Sequence, residues 1–134
     1  MNKSPLFAPG AIAVALVVAL FSATLAIADS VVHKSSFEGR SNHVVKGNVA
    51  VVQLANGTYR VDLGEDFFLD GAPDPKVAFG DNDKADTATL MPLLKSNRGA
   101  QSYAVPPSVN PGKYSQVFIW CEKFAVPLGA ASLK

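Results

Sequence analysis

The sequence predicts an all-β domain, an antiparallel β-sandwich or partly open barrel of about seven to nine short strands behind a secretory signal peptide. Three observations carry that reading. Short runs rich in β-branched and aromatic residues alternate with turn residues at intervals of about eight to twelve positions. No stretch after residue 28 keeps a helical period for three turns. The segment Gln116 to Ala130, which holds the only Trp and the only Cys, opens on a run that is apolar on both of its faces. Read as a strand, it sets Phe118, Trp120 and Phe124 on one side and Val117, Ile119 and Cys121 on the other. A strand wet on one face would show a polar side, so this one is expected to be central and covered twice, by the opposite layer and by a loop or bound group.

The chain has 134 residues. Beyond Lys3, an almost uninterrupted apolar run from Ala11 to Ala28 ends in Ala26-Ile27-Ala28, the small-x-small pattern of a secretory cleavage site. Residues 1–28 are therefore expected to be a signal peptide, with Asp29 the new N-terminus. An uncleaved anchor is the alternative, because 18 residues is close to the shortest bilayer span. Residues 29–134 are one domain by length. Without Lys3 they carry eleven Lys and Arg against eleven Asp and Glu, so the total charge favours neither nucleic acid nor an acidic membrane surface. After cleavage no membrane association is expected. A single cysteine excludes an internal disulfide, a C-x-x-C redox pair and a C-x-x-C-H haem attachment.

Along the mature chain, Asp29 to Arg40 is polar and reads as a leading segment in which Phe37 alone looks able to dock on the core. His43 to Leu54 is β-branched throughout, with Gly47 marking a bend or bulge. Asn56-Gly57 predicts a hairpin turn of type I′, which needs positive φ at both central positions. The return strand Thr58 to Leu63 puts Tyr59, Val61 and Leu63 on one face. Glu65 to Asp70 is a short segment broken by Pro73-Asp74-Pro75, after which Lys76 to Phe79 resumes an extended run. Gly80 to Asp86 is a polar loop. Pro92 makes Thr89 to Leu94 an edge or irregular strand, and Gly99 to Val105 alternates again. Pro106-Pro107 and Asn110-Pro111-Gly112 supply a long turn into the central strand, which Pro127 and Gly129 end or bend into a last one.

Hydrolase, P-loop and dinucleotide-binding signatures are missing. His33 and His43 are the only histidines, and with Cys121 they complete a metal or haem site only if folding gathers them. Asp70, Asp74, Asp81, Asp83 and Asp86 invite a calcium reading but lack the order of a calcium loop, so a solvated loop that keeps a sheet edge soluble accounts for them and no metal site is assigned. Cys121 admits two accounts. It is a small buried hydrophobe in a central strand, or a reactive thiolate, which needs positive charge and access. Lys123, two residues on, would share its face about 6–7 Å along the strand, with Glu122 pointing away.

Several pieces together resemble the DM-thirteen domain, a predicted electron-transfer domain of Skeletor-type proteins and of many exported bacterial proteins. They are Phe37 with Gly39, His43-Val44-Val45-Lys46-Gly47, Leu63 to Phe68, Pro73-Asp74-Pro75, Leu94-Lys95 with Gly99, Gln101, Tyr103 and Pro106, and Val117 to Cys121 with Phe124 and Gly129. The match spans about Ser36 to Leu133. It implies a β-rich module in which Cys121 does redox work, as a bare thiol or as ligand to a prosthetic group such as haem, with His43 and Asp74 as further cofactor-binding candidates. With the signal segment, which predicts an exported, periplasmic or extracellular place, it implies a redox partner protein at the cell envelope. The rival is a non-catalytic extracellular binding or adhesion module with Cys121 in its core, and a third is a calcium-dependent surface module.

Overall fold

A computed structural model of the protein describes residues 15–23, 25 and 27–134. Most of the predicted signal segment, with Ala26 of its cleavage motif, lies outside the described residues. The described residues before Ser30 belong to no strand or helix. From there the chain is all β, with every strand pair antiparallel.

Seven strands of four or more residues form the frame: β1 (Ser30–Ser36), β4 (Asn48–Gln53), β5 (Tyr59–Leu63), β7 (Pro75–Asp81), β9 (Gln101–Ala104), β10 (Gln116–Cys121) and β11 (Val126–Ser132). Four two-residue strands complete it: β2 (Glu38–Gly39), β3 (Val45–Lys46), β6 (Phe68–Leu69) and β8 (Lys84–Ala85). They make one sheet in the order β1-β4-β5-β9, a second in the order β2-β11-β10-β7-β8, and the small pair β3-β6. Val49, Val51, Val61, Leu63 and Tyr103 of the first sheet share one core with Val77, Phe79, Val117, Ile119, Leu128 and Ala131 of the second. Two sheets bury their inner faces against each other, and neither closes into a barrel.

As its two apolar faces require, β10 is the middle strand of the five-stranded sheet. Its inner side chains Val117, Ile119 and Cys121 join the main core. Its outer side chains Phe118 and Trp120 sit in a second, smaller cluster with Ala78, Ala85 and Ala130, against which Leu90 packs. Alanines on both neighbouring strands leave room for the rings, whose centroids stand 5.9 Å apart edge to face. The outer cover is thus the loop after β8, which a 3-10 turn at Thr87–Thr89 anchors. Buried Thr89 accepts the Phe79 N–H at 2.8 Å and donates to the Asp86 carbonyl at 2.7 Å.

Four local expectations are corrected. The segment 116–130 is a hairpin and not one strand, so Phe124 stands in its turn, 60% exposed, instead of sharing the Trp120 face. The leading segment is a seven-residue strand, β1, because β4 offers it an unpaired edge; Phe37 does dock, buried and edge-on to Phe67. The Asn56-Gly57 hairpin forms, but with a three-residue loop: the Leu54 N–H reaches the Thr58 carbonyl, and of the two turn residues only Gly57 has positive φ (86°). That is a type I turn followed by a left-handed glycine. Two-residue turns with both central residues at positive φ lie instead at Asn82 (52°) and Asp83 (57°), inside the expected polar loop, where they join β7 to β8, and at Ser41 (55°) and Asn42 (61°) after β2. Gly47, at φ 108°, marks the expected bend, and there the run 43–54 passes from the small β3-β6 pair to the first sheet.

Candidate functional site

Cys121 ends β10. Its strand partners are Pro75 on β7 and Val126 on β11, and its inward side chain is 1% exposed within the hydrocarbon core. Lys123 does not share its face along a strand. The strand has already ended, and the Lys123 ammonium lies 5.6 Å from the centre of the Phe124 ring.

Asp74 lies beside this pair. Its carbonyl accepts the Glu122 N–H at 3.2 Å, and its carboxylate stands 3.3 Å from Lys76 Nζ. The same ammonium donates to Glu122 Oε2. Asp74 and Lys76 flank Pro75, and Glu122 follows Cys121, so one cation ties both chains around the Cys121–Pro75 pair. The Glu122 hydrogen bond, seconded by Asp74, holds the Lys76 ammonium above the usual lysine range against the effect of burial. Sequence reasoning named Asp74 but not Lys76 or Glu122. Their meeting depends on the register of β7 against β10, which no local motif encodes.

His43, in the loop between β2 and β3, lies at the same end of the sandwich. That loop is fastened to the start of β11 by the Arg40 N–H to the Leu128 carbonyl (2.8 Å) and by Ser41 Oγ to the Pro127 carbonyl (2.6 Å). His43 Nδ1 is 2.8 Å from Asp70 Oδ1, while Asp70 Oδ2 accepts the Val44 N–H at 2.9 Å. The Val44 N–H, then His43, hold the Asp70 carboxyl below the usual carboxylate range. His33 is in β1, opposite Val51 in the other sheet. The fold therefore brings Asp74 against the Cys121 strand pair, brings His43 to the same end with Asp70 as its partner, and leaves His33 elsewhere.

Neither a metal nor a haem fits these residues in this packing. Among the described residues no three of His, Cys, Asp and Glu converge as a metal site would require. The Cys121 sulfur faces packed hydrocarbon on the inner side of β10, and a cleft of about 520 Å³ opens instead on the other sheet, lined by Lys34, Ser36, Asn48, Ala50, Asp62 and Gly64 among others. The acids of the calcium reading have other duties. Asp81 accepts from Ser115 N–H and Oγ, Asp83 from Gln116 and Arg40, and Asp86 from Tyr114 and the Ala88 N–H. Those bonds hold all three below the usual carboxylate range. The bonds to Tyr114, Ser115 and Gln116 fasten the β7–β8 end to the segment entering β10, and the Arg40 bond ties Asp83 to the residue after β2.

The remaining motif residues build the frame. Gln101 braces the turn before β9 by donating to the Ser96 and Gly99 carbonyls and accepting from the Ser96 N–H, and the buried Tyr103 hydroxyl takes the Lys95 N–H at 2.8 Å while donating to Gln101. At Gly47 an added Cβ would meet Phe67 Cα at 2.6 Å.

Comparison with curated proteins returns no match, and comparison with solved structures returns none. The family described as Electron transfer DM13 matches residues 36–133, which run from the last residue of β1 past the end of β11. Its span contains β2 to β11, the whole five-stranded sheet and the Cys121 end, and leaves out only β1 before Ser36. The chain belongs to the electron transfer DM13 family.

Proposed function

We propose that residues 29–134 work outside the cytoplasm, in the periplasm or beyond the cell, as an electron-transfer module for a protein partner at the cell envelope, with Cys121 as the redox group. Export is supported by the apolar run Ala11 to Ala28 and its small-x-small ending. The observation that carries the redox role is the family match over a domain whose one thiol ends the central strand, a single residue before a solvent-facing turn. In thiol–disulfide exchange the Cys121 thiolate would attack one sulfur of a partner disulfide. The partner S–S bond breaks, a mixed disulfide forms, and the other partner sulfur leaves as a thiolate that takes up the proton Cys121 gave to solvent. Burial of the sulfur means that this chemistry needs the strand end to open.

The test is transfer from the purified protein to a disulfide-bearing acceptor, read as one acceptor thiol released and one mixed disulfide formed per Cys121, with Cys121→Ala as the comparison and native thiol titration alongside. Loss of transfer in a folded Cys121→Ala protein is the expected result. Transfer unchanged in that variant would end the redox assignment.

A second reading, a non-catalytic extracellular binding or adhesion module, is favoured by one specific observation: Cys121 is 1% exposed among hydrocarbon neighbours, as a core-filling residue would be. It expects Cys121→Ala to fold and to keep every function of the protein.

A further inference from the structure

A short exposed strap, Glu122 to Ala125, follows Cys121 and joins β10 to β11. Its backbone ties are long: the Glu122 N–H to the Asp74 carbonyl and the Ala125 N–H to the Glu122 carbonyl are both 3.2 Å. Ala125 sits in the left-handed region at φ 51°, which a residue with a Cβ adopts at a cost. Phe124, the one large apolar side chain of the strap, is 60% exposed and anchors nothing in the core. Beside that Glu122 backbone bond, the strap is fastened to the neighbouring strand by charge. Lys76 on β7 bridges Asp74 Oδ1, at 3.3 Å, and Glu122 Oε2, and the three side chains keep 22%, 26% and 46% of their exposure. Ion pairs this open to solvent are weak and are screened by salt, whereas the apolar packing beneath them is not.

We propose that the Lys76 ion pairs with Asp74 and Glu122 are an electrostatic latch on the Glu122–Ala125 strap, and that their release admits small thiol-reactive groups to Cys121 while the sandwich stays folded. The geometry that assigns this role is the Cys121–Pro75 strand pair: the latch spans it, joining the residues on both sides of Pro75 to the residue after Cys121. Opening the strap peels back the end of one hairpin and leaves the core contacts of Val117 and Ile119 in place. The biological purpose of the latch rests on the redox reading of Cys121, but its existence does not.

The rate of Cys121 modification by 4,4′-dithiodipyridine, an uncharged aromatic disulfide, reads the opening directly in the purified protein. Lys76→Met and Glu122→Gln are each expected to raise the rate about two- to fivefold, and raising NaCl from about 20 mM to about 1 M to do the same for the unaltered protein but not for Lys76→Met. The rate should rise only shallowly with urea below the unfolding transition, as local opening does. Lys123→Gln, on the strap but outside the latch, should react like the unaltered protein. A rate indifferent to salt and to both latch variants, or one whose urea dependence equals that of complete unfolding, overturns the proposal. If the latch variants behave as expected while Cys121→Ala keeps its electron transfer, the redox reading falls and the latch stands. If transfer depends on Cys121 but the rates ignore salt, the latch alone falls.

Discussion

Replacing Cys121 by Ser separates a packed sulfur from an accessible one. The side chain is 1% exposed and faces the core that Val77, Ile119 and Leu128 share, between two strands that pair on either side of it. Every buried side-chain nitrogen or oxygen among the described residues has a hydrogen-bond partner. A serine hydroxyl at 121 would enter hydrocarbon without one, and such a group costs about 1–3 kcal/mol. Alanine introduces no polar group and leaves only a small void, at a cost of about 1 kcal/mol. Serine should therefore be the less stable variant by up to about 2 kcal/mol, which for a domain of this size lowers Tm by up to roughly 10 °C. Urea unfolding and calorimetry of the three proteins measure the difference, with unchanged urea slopes confirming that the unfolding reaction is the same. A serine variant within about 0.5 kcal/mol of the unaltered protein would refute the reasoning, because its hydroxyl would then be reaching water or a polar partner in the folded state.

The outer cover of the central sheet gives a second prediction. Thr89→Val keeps the shape but removes the oxygen that takes the Phe79 N–H, so stability should fall by about 1–3 kcal/mol, read from the urea midpoint. The opposite end gives a prediction in pH. The Ser115 hydroxyl, then the Ser115 N–H, hold the Asp81 carboxyl below its ordinary value, so the folded form binds that proton less readily than the unfolded chain. The stability it contributes is present above the unfolded carboxylate pKa of about 3.9 and is lost as pH falls through the lower folded value. The unaltered protein should be more stable than Asp81→Asn at pH 6, and the gap should close toward pH 2.5. A gap that stays constant with pH would remove Asp81 from the acid response.

Much of the frame was legible because its causes are local. Alternation in Thr58 to Leu63 and the two apolar faces of Gln116 to Cys121 follow from a side-chain period of two and need no partner strand to be seen, whereas Phe124 leaves the Trp120 face because the strand ends at Cys121. Turn chemistry was legible in place but not in type. Asn56-Gly57 marks the hairpin, whereas two-residue turns with both central residues at positive φ form at Asn82-Asp83, where Asp81 pairs with Lys84, and at Ser41-Asn42. The leading segment does not read as a strand because β1 has little apolar pattern of its own. It is a strand only because β4 presents an edge to it.

The residues by themselves determined the class of fold, the central place of β10 and the family, since composition, turn residues and side-chain alternation act between near neighbours in the chain. Tertiary structure alone decided what surrounds the thiol. Pro75 lies opposite Cys121, Lys76 is bonded to Glu122 46 positions away, and His43 pairs with Asp70 27 positions away. Such meetings depend on strand register, and register is chosen by the whole core at once, because a slip of one residue would turn every buried side chain toward water.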